Sequence, residues 1–404
     1  MEQTSPPKTL PIAIALGSLC ALGPFSTDMH VSAMPQMADD LATSAATIQM
    51  TMMTYFCGFT IGQLFYGPAS DALGRKPVIF FALAVFLAGT IGCVLSVTPN
   101  QMLAFRFLQG CGGSIGMVIA TATIRDLFSG IKAARLMSLV ILVLGLAPVI
   151  APLAGSMLLT FSTWRVIFMV MGLLCLVVAT LVVVLLPETR MPALRATSQP
   201  SRAIHWYAKL LFTRSFIPYA GALAFAQGGF FAYIAGSSFV LINVYGLSPI
   251  TFSVIFALNA LGIGIGTQVS TRFGEKIGLK NVVRMSSLIF AGAAVLLVGM
   301  ELLHIGTVYS VCILLFIAVI GVGGMMPSCN VLAMESQGHI AGTAAALSGA
   351  LGFGAGALSS LGIGLMEDGT ALPMLMIIAI SAIGATLVAH LAFGDQEASA
   401  ATQS

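Results

Sequence analysis

The feature that most constrains this chain is a series of about twelve apolar segments, each long enough to cross a bilayer, spread over all 404 residues. About 20 apolar residues in a helix span a hydrocarbon core roughly 30 Å thick. The segments are continuously apolar rather than alternating, so we predict helices that satisfy their own backbone groups, not barrel strands. The predicted spans are 11–33, 46–66, 77–97, 101–123, 136–160, 164–186, 215–236, 250–270, 284–303, 306–328, 341–365 and 370–392.

The composition agrees with this fold class. Hydrophobic residues make up 58% of the chain and charged residues 8%, which excludes a soluble globular domain. The predicted class is therefore an all-α membrane protein. The seven cysteines fall within predicted spans without a metal-ligand spacing, and we interpret them as small apolar fillers.

The basic residues predict the orientation in the membrane. Most of the 17 lysines and arginines fall in segments on one face, including Arg75, Lys76, Arg125 and Lys132, whereas the opposite loops carry acids and only Arg165. Short loops rich in Lys and Arg stay in the cytoplasm, and an even number of spans puts both termini on that side. The net charge of +3 is divided among such loops, so it does not indicate nucleic-acid binding.

A long polar interruption divides the chain. We predict an N-terminal six-helix half over 1–186, a cytoplasmic linker over 187–213 and a C-terminal six-helix half over 214–404. The loop "GPASDALGRKPV" after span two has a weaker counterpart, "TRFGEKIGLKNV", after span eight. Two repeated halves are typical of transporters that bind substrate between the halves and rock about that site.

Two ionisable residues stand inside predicted spans, away from their ends: Asp28 in "FSTDMH" and Arg106 in span four. A charge there costs roughly 2.5–3.5 kcal/mol on insertion scales and normally faces a bundle interior or a wet cavity. Counting from the predicted span ends places both residues at a similar depth. We interpret Asp28 as a proton-binding or cation-binding carboxylate that lines a central cavity, with Arg106 as its neighbour. A buried structural ion pair is the alternative.

Other side chains in the spans are candidates for the substrate wall. Tyr55 lies near the middle of span two, and the polar residues Gln109, Gln227 and Asn259 bind either substrate or a neighbouring helix. The second half has no charged residue in mid-span, so we expect it to supply an apolar surface that includes Phe225 and Phe231.

Two further segments are candidates for conformational change. In span five, Pro148 and Pro152 are four residues apart, so they share a helix face and favour a bend during gating or, equally, a fixed kink. In the cytoplasmic loop after span two, Asp71 is predicted to face a helix N-terminus of the other half, and Arg75 to reach an acid such as Asp126. Such contacts would latch the two halves together.

At these residues the chain resembles the major facilitator superfamily. Its loop pattern is met by Gly67, Asp71, Gly74, Arg75 and Lys76, with Ala72 in place of a common basic residue. The span-four pattern R-x-x-Q-G is met by Arg106, Gln109 and Gly110. In the span-five antiporter pattern Pro152 and Gly155 fit, while Ala151 and Ser156 replace glycines.

Within that superfamily the chain looks most similar to the bicyclomycin and chloramphenicol resistance branch of drug:proton antiporters. The matching stretches include "STDMH", "WRVIF", "FAYIAGSSFV" and "AGTAAALSG", although His30 stands where a tyrosine is common. The resemblance implies a monomer of the bacterial inner membrane that exports hydrophobic or amphipathic drug-like molecules, with Asp28 as the coupling carboxylate. Protons are the coupling ion, and no cofactor or metal is expected.

Other functions remain as alternatives. A proton-coupled transporter of a metabolite, such as an amino acid or a sugar, would use the same fold. An intramembrane enzyme and a non-transporting sensor belong to different classes. The enzyme is disfavoured because no HExxH motif or accessible serine elbow occurs: "GGSIG" and "GIGIG" lie in mid-span, without the strand context that their chemistry needs.

Overall fold

The computed structural model describes residues 9–192, 195, 200–337 and 340–393. The helices within these ranges are α1 (Thr9–Asp28), α2 (Met34–Asp40), α3 (Ala45–Leu73), α4 (Arg75–Leu95), α5 (Pro99–Gly113), α6 (Ile115–Leu127), α7 (Gly130–Leu159), α8 (Trp164–Leu185), α9 (Pro200–Leu210), α10 (Ile217–Ser238), α11 (Pro249–Ile277), α12 (Leu279–Leu302), α13 (Val308–Glu335), α14 (Ala341–Met366) and α15 (Leu372–Leu387). A 3₁₀ turn, Val31–Ala33, joins α1 to α2, and π-helical segments Phe239–Val244 and Val388–Ala392 extend α10 and α15.

All twelve predicted spans are helical, which confirms the fold class. Eleven stretches of the described chain are long and apolar enough to cross a membrane. The twelfth, α3, has the length but carries threonines and two buried glutamines, Gln49 and Gln63. Because α3 packs along α14 of the second half and along α5, its polar side chains face protein rather than lipid.

The observed helices differ from the predicted spans at their ends. α3 and α11 run seven residues past the predicted limits of 66 and 270, because a helix continues beyond the apolar stretch that hydropathy marks. Span one breaks after Asp28 and resumes at Met34, and span four is divided at Ser114. Hydroxyl side chains fix several helix starts: Ser44 accepts a hydrogen bond from the Thr47 amide, and Ser248 accepts one from the Thr251 amide.

The two echoing loops adopt the same backbone turn. Gly74 alone separates α3 from α4 and has φ 104°, and Gly278 alone separates α11 from α12 with φ 83°. Such positive φ values favour glycine because it has no Cβ. The turn between the second and third spans of each half therefore depends on one glycine.

The halves meet mainly where α3 packs on α14 and α7 packs on α11. We call the two ends of the bundle the Met34 end and the Arg75 end. At the Met34 end, Met29, Val31 and Met34 are buried. Contacts between the halves also lie there: the Ser253 hydroxyl donates to the Pro152 carbonyl at 2.9 Å, and the Ser238 hydroxyl lies 3.8 Å from the Met34 sulfur. The two halves are thus in contact around Met34 at this end.

Candidate functional site

Asp28 is the last residue of α1, immediately before the helix breaks. Its residue exposure is 3%, and its carboxylate accepts one hydrogen bond, from the Thr27 hydroxyl at 2.8 Å. The hydroxyls of Tyr55 in α3 and Tyr233 in α10 lie within electrostatic range of the carboxylate. Asp28 therefore lies where the two halves of the bundle meet.

The carboxylate is enclosed in this structure, whereas the sequence predicted that it would line a wet cavity. The packing of Met29, Val31 and Met34 closes the Met34 end over it. Toward the Arg75 end of α1, Ser18 is partly exposed and Ile14 is exposed, 10 and 14 residues before Asp28.

The sequence predicted Arg106 as a neighbour of Asp28, with a buried structural ion pair as the alternative. Of the ion pairs in the described residues none joins these two side chains, so the ion-pair alternative is wrong. The Arg106 guanidinium instead donates to the Ser26 carbonyl at 3.0 Å and to the Gln109 side-chain oxygen at 2.6 Å. The physical reason is that similar depth does not fix the direction in which two side chains point around their helices.

Arg106 is fully buried within the first half. Its guanidinium lies 4.4 Å from the centre of the Tyr55 ring, a distance suited to a cation–π contact, and Tyr55 in turn hydrogen-bonds the Ser26 hydroxyl. Gln109 is also fully buried and donates to the Thr90 hydroxyl at 2.9 Å. Arg106 therefore holds the end of α1 from inside the first half, and Gln109 bonds to a neighbouring helix, which is one of the two roles predicted for it.

The second half contributes a polar pair opposite Asp28. The Asn259 side-chain amide in α11 donates to the Tyr233 hydroxyl at 2.8 Å, and the Tyr233 ring stacks on Phe256 at 5.4 Å. Asn259 thus reaches the Asp28 site through Tyr233. The sequence marked Asn259 as a candidate, but Tyr233 itself was not among the predicted site residues, because nothing in its spacing distinguishes it from a packing tyrosine.

Four phenylalanines close the space between the halves next to this group. Phe59 of α3 stacks on Phe353 of α14 at 3.9 Å, and Phe56 lies 4.4 Å from Phe231 of α10. Phe231 and Phe353 are 4.9 Å apart, so the rings form one cluster across the interface. The structure thereby places Phe231 in the apolar wall that the sequence predicted, together with three rings that were not predicted.

Gln227 and Phe225, the other residues of the second half that were predicted to line the substrate wall, lie in different places. Gln227 faces α14 at Gly352, and its side-chain oxygen is buried without a hydrogen-bond partner. Phe225 packs against Gly384 of α15 and is 40% exposed, so it lies away from the cluster and does not belong to the predicted wall. Phe225 and Phe231 are six residues apart, about 240° around a helix, which explains why only one faces the other half.

His30 lies in the break between α1 and α2. It is fully buried near the Ser26 backbone, and its ring lies 5.7 Å from that of Phe168. It points into the first half beside Arg106.

The span-five prolines lie in α7, which continues through both as one helix. The Pro152 carbonyl accepts the hydrogen bond from Ser253 of α11, and the neighbouring Gly155 lies against the Met29 carbonyl. Pro148 is half-buried one turn away. This part of α7 is therefore within the contact between the halves, where a bend would alter the seal.

A charged cluster at the Arg75 end surrounds the Gly74 turn. The Arg75 guanidinium pairs with Asp126 at 2.9 Å, as the sequence predicted, and with Asp71 at 2.9 Å. Arg75 is 1% exposed. The backbone amides of Arg75 and Lys76 donate to the Glu188 carboxylate at 3.0 and 3.1 Å. The cluster ties the α3–α4 turn to the end of α6 and to the segment after α8.

The described ion pairs of this cluster lie within the first half and the linker. Among the contacts of Asp71 are ion pairs with Arg75 and, at 3.8 Å, with Arg190. Residues 338 and 339, which precede α14, lie outside the described residues, so the predicted contact of Asp71 with a helix N-terminus of the other half stays a prediction. Gly67 approaches α6 at Val118 within the first half, and Gly342, near the start of α14, faces the Arg125 guanidinium of α6.

Glu188 is a member of this cluster that sequence reasoning missed. Burial opposes its ionisation, but hydrogen bonds from the amides of Arg190, Arg75 and Lys76, together with the nearby Arg195, outweigh it and lower the pKa below its ordinary value of 4.5. A signal was available, because Glu188 is the sole acid between Asp126 and Glu275. The described residues hold no group of three or more His, Cys, Asp or Glu side chains that could bind a metal.

This arrangement defines a membrane transporter with a carboxylate between two helical halves, not an enzyme. Comparison with known proteins agrees: the family described as Major Facilitator Superfamily matches residues 15–360. The chain belongs to the Major Facilitator Superfamily.

Its relatives identify the branch. The chain is 32% identical over 371 residues to the bicyclomycin resistance protein homolog of Haemophilus influenzae, covering 90% of this chain and 91% of the relative. It is 36% identical over 376 residues to an uncharacterized MFS-type transporter of Bacillus subtilis, with 93% of each chain covered. The chloramphenicol resistance protein of Pseudomonas aeruginosa is 29% identical over 88% of this chain and 84% of its own length. These matches place the chain in the bicyclomycin and chloramphenicol resistance branch.

Among solved structures, a D-xylose–proton symporter has a TM-score of 0.74 with 15% identity, covering 95% of this chain and 97% of that one. At this identity the likeness shows the fold alone.

Proposed function

We propose that this chain exports small hydrophobic or amphipathic drug-like molecules from the bacterial cytoplasm across the inner membrane in exchange for protons. The observation that carries the proposal is Asp28, a carboxylate buried between the two halves that forms no ion pair with any cation of the described residues. Such a group is far less costly as the neutral acid than as an anion, so binding and release of a proton can be coupled to exposure. The names of the relatives support drugs as the substrate class.

The proposed cycle alternates access at the two ends. With the Met34 end sealed, a drug enters from the Arg75 end and lies against the cluster of Phe56, Phe59, Phe231 and Phe353. The halves then rock, the seal around Met34 opens, and a proton that reaches Asp28 favours release of the drug. A return to the first state delivers the proton to the cytoplasm. In this cycle Arg106 positions Asp28 by holding the end of α1. Tyr55, Tyr233 and Asn259 respond to the change in the charge of Asp28.

The orientation follows from charge. We propose that the Arg75 end is cytoplasmic, since its loops carry most of the basic residues and the opposite loops are acidic. Each proton then moves inward with the membrane potential, which supplies about 2.3 kcal/mol per 100 mV. If one proton drives one drug molecule, this free energy sustains a roughly 50-fold ratio of drug concentration across the membrane. Each chain contains its own complete site between its halves, so a monomer suffices.

The test compares drug resistance in cells that lack their own exporters. We expect the wild type to raise the inhibitory concentration of chloramphenicol or bicyclomycin, and Asp28→Asn to return it to that of cells without the protein. Asp39→Asn, which neutralises an exposed acid at the Met34 end, is the matched control and should retain resistance. Unchanged resistance in Asp28→Asn would remove this carboxylate from the mechanism.

Reconstituted vesicles separate export of drugs from transport of a metabolite. When substrate is added outside, an exchanger makes the vesicle interior alkaline as protons leave, whereas a symporter acidifies it. An alkaline signal with drugs and none with amino acids or sugars is expected. The reverse result would favour the metabolite transporter.

A further inference from the structure

The linker helix α9 and the residues after it carry an exposed apolar side. Ile204 is 71% exposed and Phe212 is 88% exposed, and the exposed residues Ala208 and Leu211 lie between them. Positions 204, 208 and 211 recur every three to four residues, which places them on one face. Phe212 stands five residues before α10, a membrane span, so this face is held at the edge of the bilayer.

A second face of the same helix is basic. Arg202, His205 and Lys209 are exposed and spaced by three and four residues. The Lys209 ammonium lies 4.9 Å from the centre of the Trp206 ring. No Asp or Glu occurs in the sequence between Glu188 and Glu275, so nothing within this segment offsets the positive charge.

The remaining face of α9 packs against the protein and fixes the directions of the apolar face and the basic face. The Tyr207 hydroxyl donates to the Leu64 carbonyl of α3 at 3.1 Å, and Leu210 is 1% exposed. Trp206, Lys209 and Leu210 line a cavity of about 160 Å³ together with Gln337 and Ile340 of the second half. Because α9 is held against both halves at the Arg75 end, its exposed faces are presented in a defined orientation.

We propose that α9 is an interfacial helix that binds anionic phospholipid headgroups in the leaflet at the Arg75 end. Arg202 and Lys209 contact the headgroup phosphates, and Ile204 and Phe212 enter the boundary of the acyl chains. Ile204 and Phe212 are apolar, Arg202 and Lys209 are basic, and the aromatic Trp206 lies among them in the sequence. This combination suits the surface of an anionic bilayer better than it suits water. This role requires neither Asp28 nor a drug, so it goes beyond the transport function.

Tryptophan fluorescence tests this binding in the full-length protein. The chain has two tryptophans, and Trp164 is fully buried, so lipid quenching reports Trp206. The protein is reconstituted in vesicles that contain either brominated phosphatidylcholine or brominated phosphatidylglycerol, with bromine near the headgroup end of the chains. We expect quenching by both lipids and a preference for phosphatidylglycerol of about fivefold per basic side chain at low salt, weaker at high salt. Trp206→Phe must abolish the quenching.

Three pairs of substitutions sharpen the test. Arg202→Gln with Lys209→Gln should make the two lipids equal, whereas Arg272→Gln with Lys276→Gln, which removes two exposed charges elsewhere at the Arg75 end, should keep the preference. Ile204→Ser with Phe212→Ser should weaken quenching by both lipids. Equal quenching by the two lipids in the wild type, or no quenching of Trp206, would overturn the proposal. Transport measured on the same vesicles reports separately on the proposed function.

Discussion

The Gly74 turn and the Gly278 turn share one backbone but differ in chemistry. Each joins two long helices through a single glycine at positive φ. After Gly74 stands Arg75, buried among Asp126, Asp71 and the Ser70 hydroxyl, whereas after Gly278 stands Leu279, which cannot make such contacts. The repeat therefore preserves the shape of the turn, and the first half adds to it an ionic cluster centred on Arg75.

The same contrast holds in the membrane interior. The first half buries Asp28 and Arg106, whereas the described residues of the second half bury no charged side chain and place Tyr233 and Asn259 near Asp28. We infer that the first half holds the proton chemistry on a scaffold fixed by charged contacts, while the second half provides neutral groups. Four predictions test this difference.

The largest effect is expected for Arg75→Leu, which gives the first turn the residue of the second. Removing the arginine leaves Asp126, whose side chain is 13% exposed, without its cation. Loss of one partner from a buried pair costs about 3–5 kcal/mol. Thermal unfolding of the purified protein measures the loss, and Lys76→Leu, which removes an exposed contact at the next position, should cost under about 1 kcal/mol. Equal effects would show that the cluster contributes little.

A smaller effect is expected when alanine replaces either turn glycine. Both positions have positive φ, which costs a non-glycine residue of the order of 1–2 kcal/mol. A Cβ on Gly74 would also lie 2.7–2.9 Å from atoms of Arg195 and Glu188, whereas one on Gly278 would meet nothing within 4 Å. Gly74→Ala should therefore destabilise the protein more than Gly278→Ala in the same unfolding assay. The opposite order would contradict the crowding seen at the first turn.

The tyrosines that flank Asp28 should differ in the opposite order, with the variant of the second half the more costly. Tyr233→Phe leaves the buried Asn259 amide without its acceptor, at a cost of about 1–3 kcal/mol. Tyr55→Phe leaves the Ser26 hydroxyl bonded to the Gly23 carbonyl, so we expect a cost of about 1 kcal/mol or less. Unfolding of the two variants against the wild type decides the order, and a costlier Tyr55→Phe would show that the first half depends on that hydroxyl.

The smallest effect concerns pH and Glu188. Because its pKa is lowered in the folded protein, Glu188 adds stability above its ordinary value of 4.5, and that stability is lost as the pH falls through the lower folded value. Wild-type stability relative to Glu188→Gln should be constant near neutral pH and should decline below about pH 4.5. Unfolding midpoints at several pH values give the difference, and parallel curves for the two proteins would contradict it.

The sequence could predict what depends on length, apolarity and local motif. All twelve spans follow from apolar runs, and the contact of Arg75 with Asp126 follows from the loop pattern. The lack of an ion pair between Asp28 and Arg106 among the described residues could not be predicted, because depth in the membrane does not specify direction, whereas Pro35 in the first turn of α2 was a local signal for the new helix start after Asp28. The separation of Phe225 from Phe231 could have been predicted from the helical repeat.

Proton release on drug binding tests the central claim most directly. Purified protein in a weakly buffered detergent solution, near the pH at which Asp28 is partly protonated, receives drug while a pH indicator records protons. If drug and proton compete at Asp28, the wild type releases up to one proton per drug bound over some range of pH, and Asp28→Asn binds drug and releases none. Equal proton release by both proteins, or none by the wild type at any pH, would contradict the account.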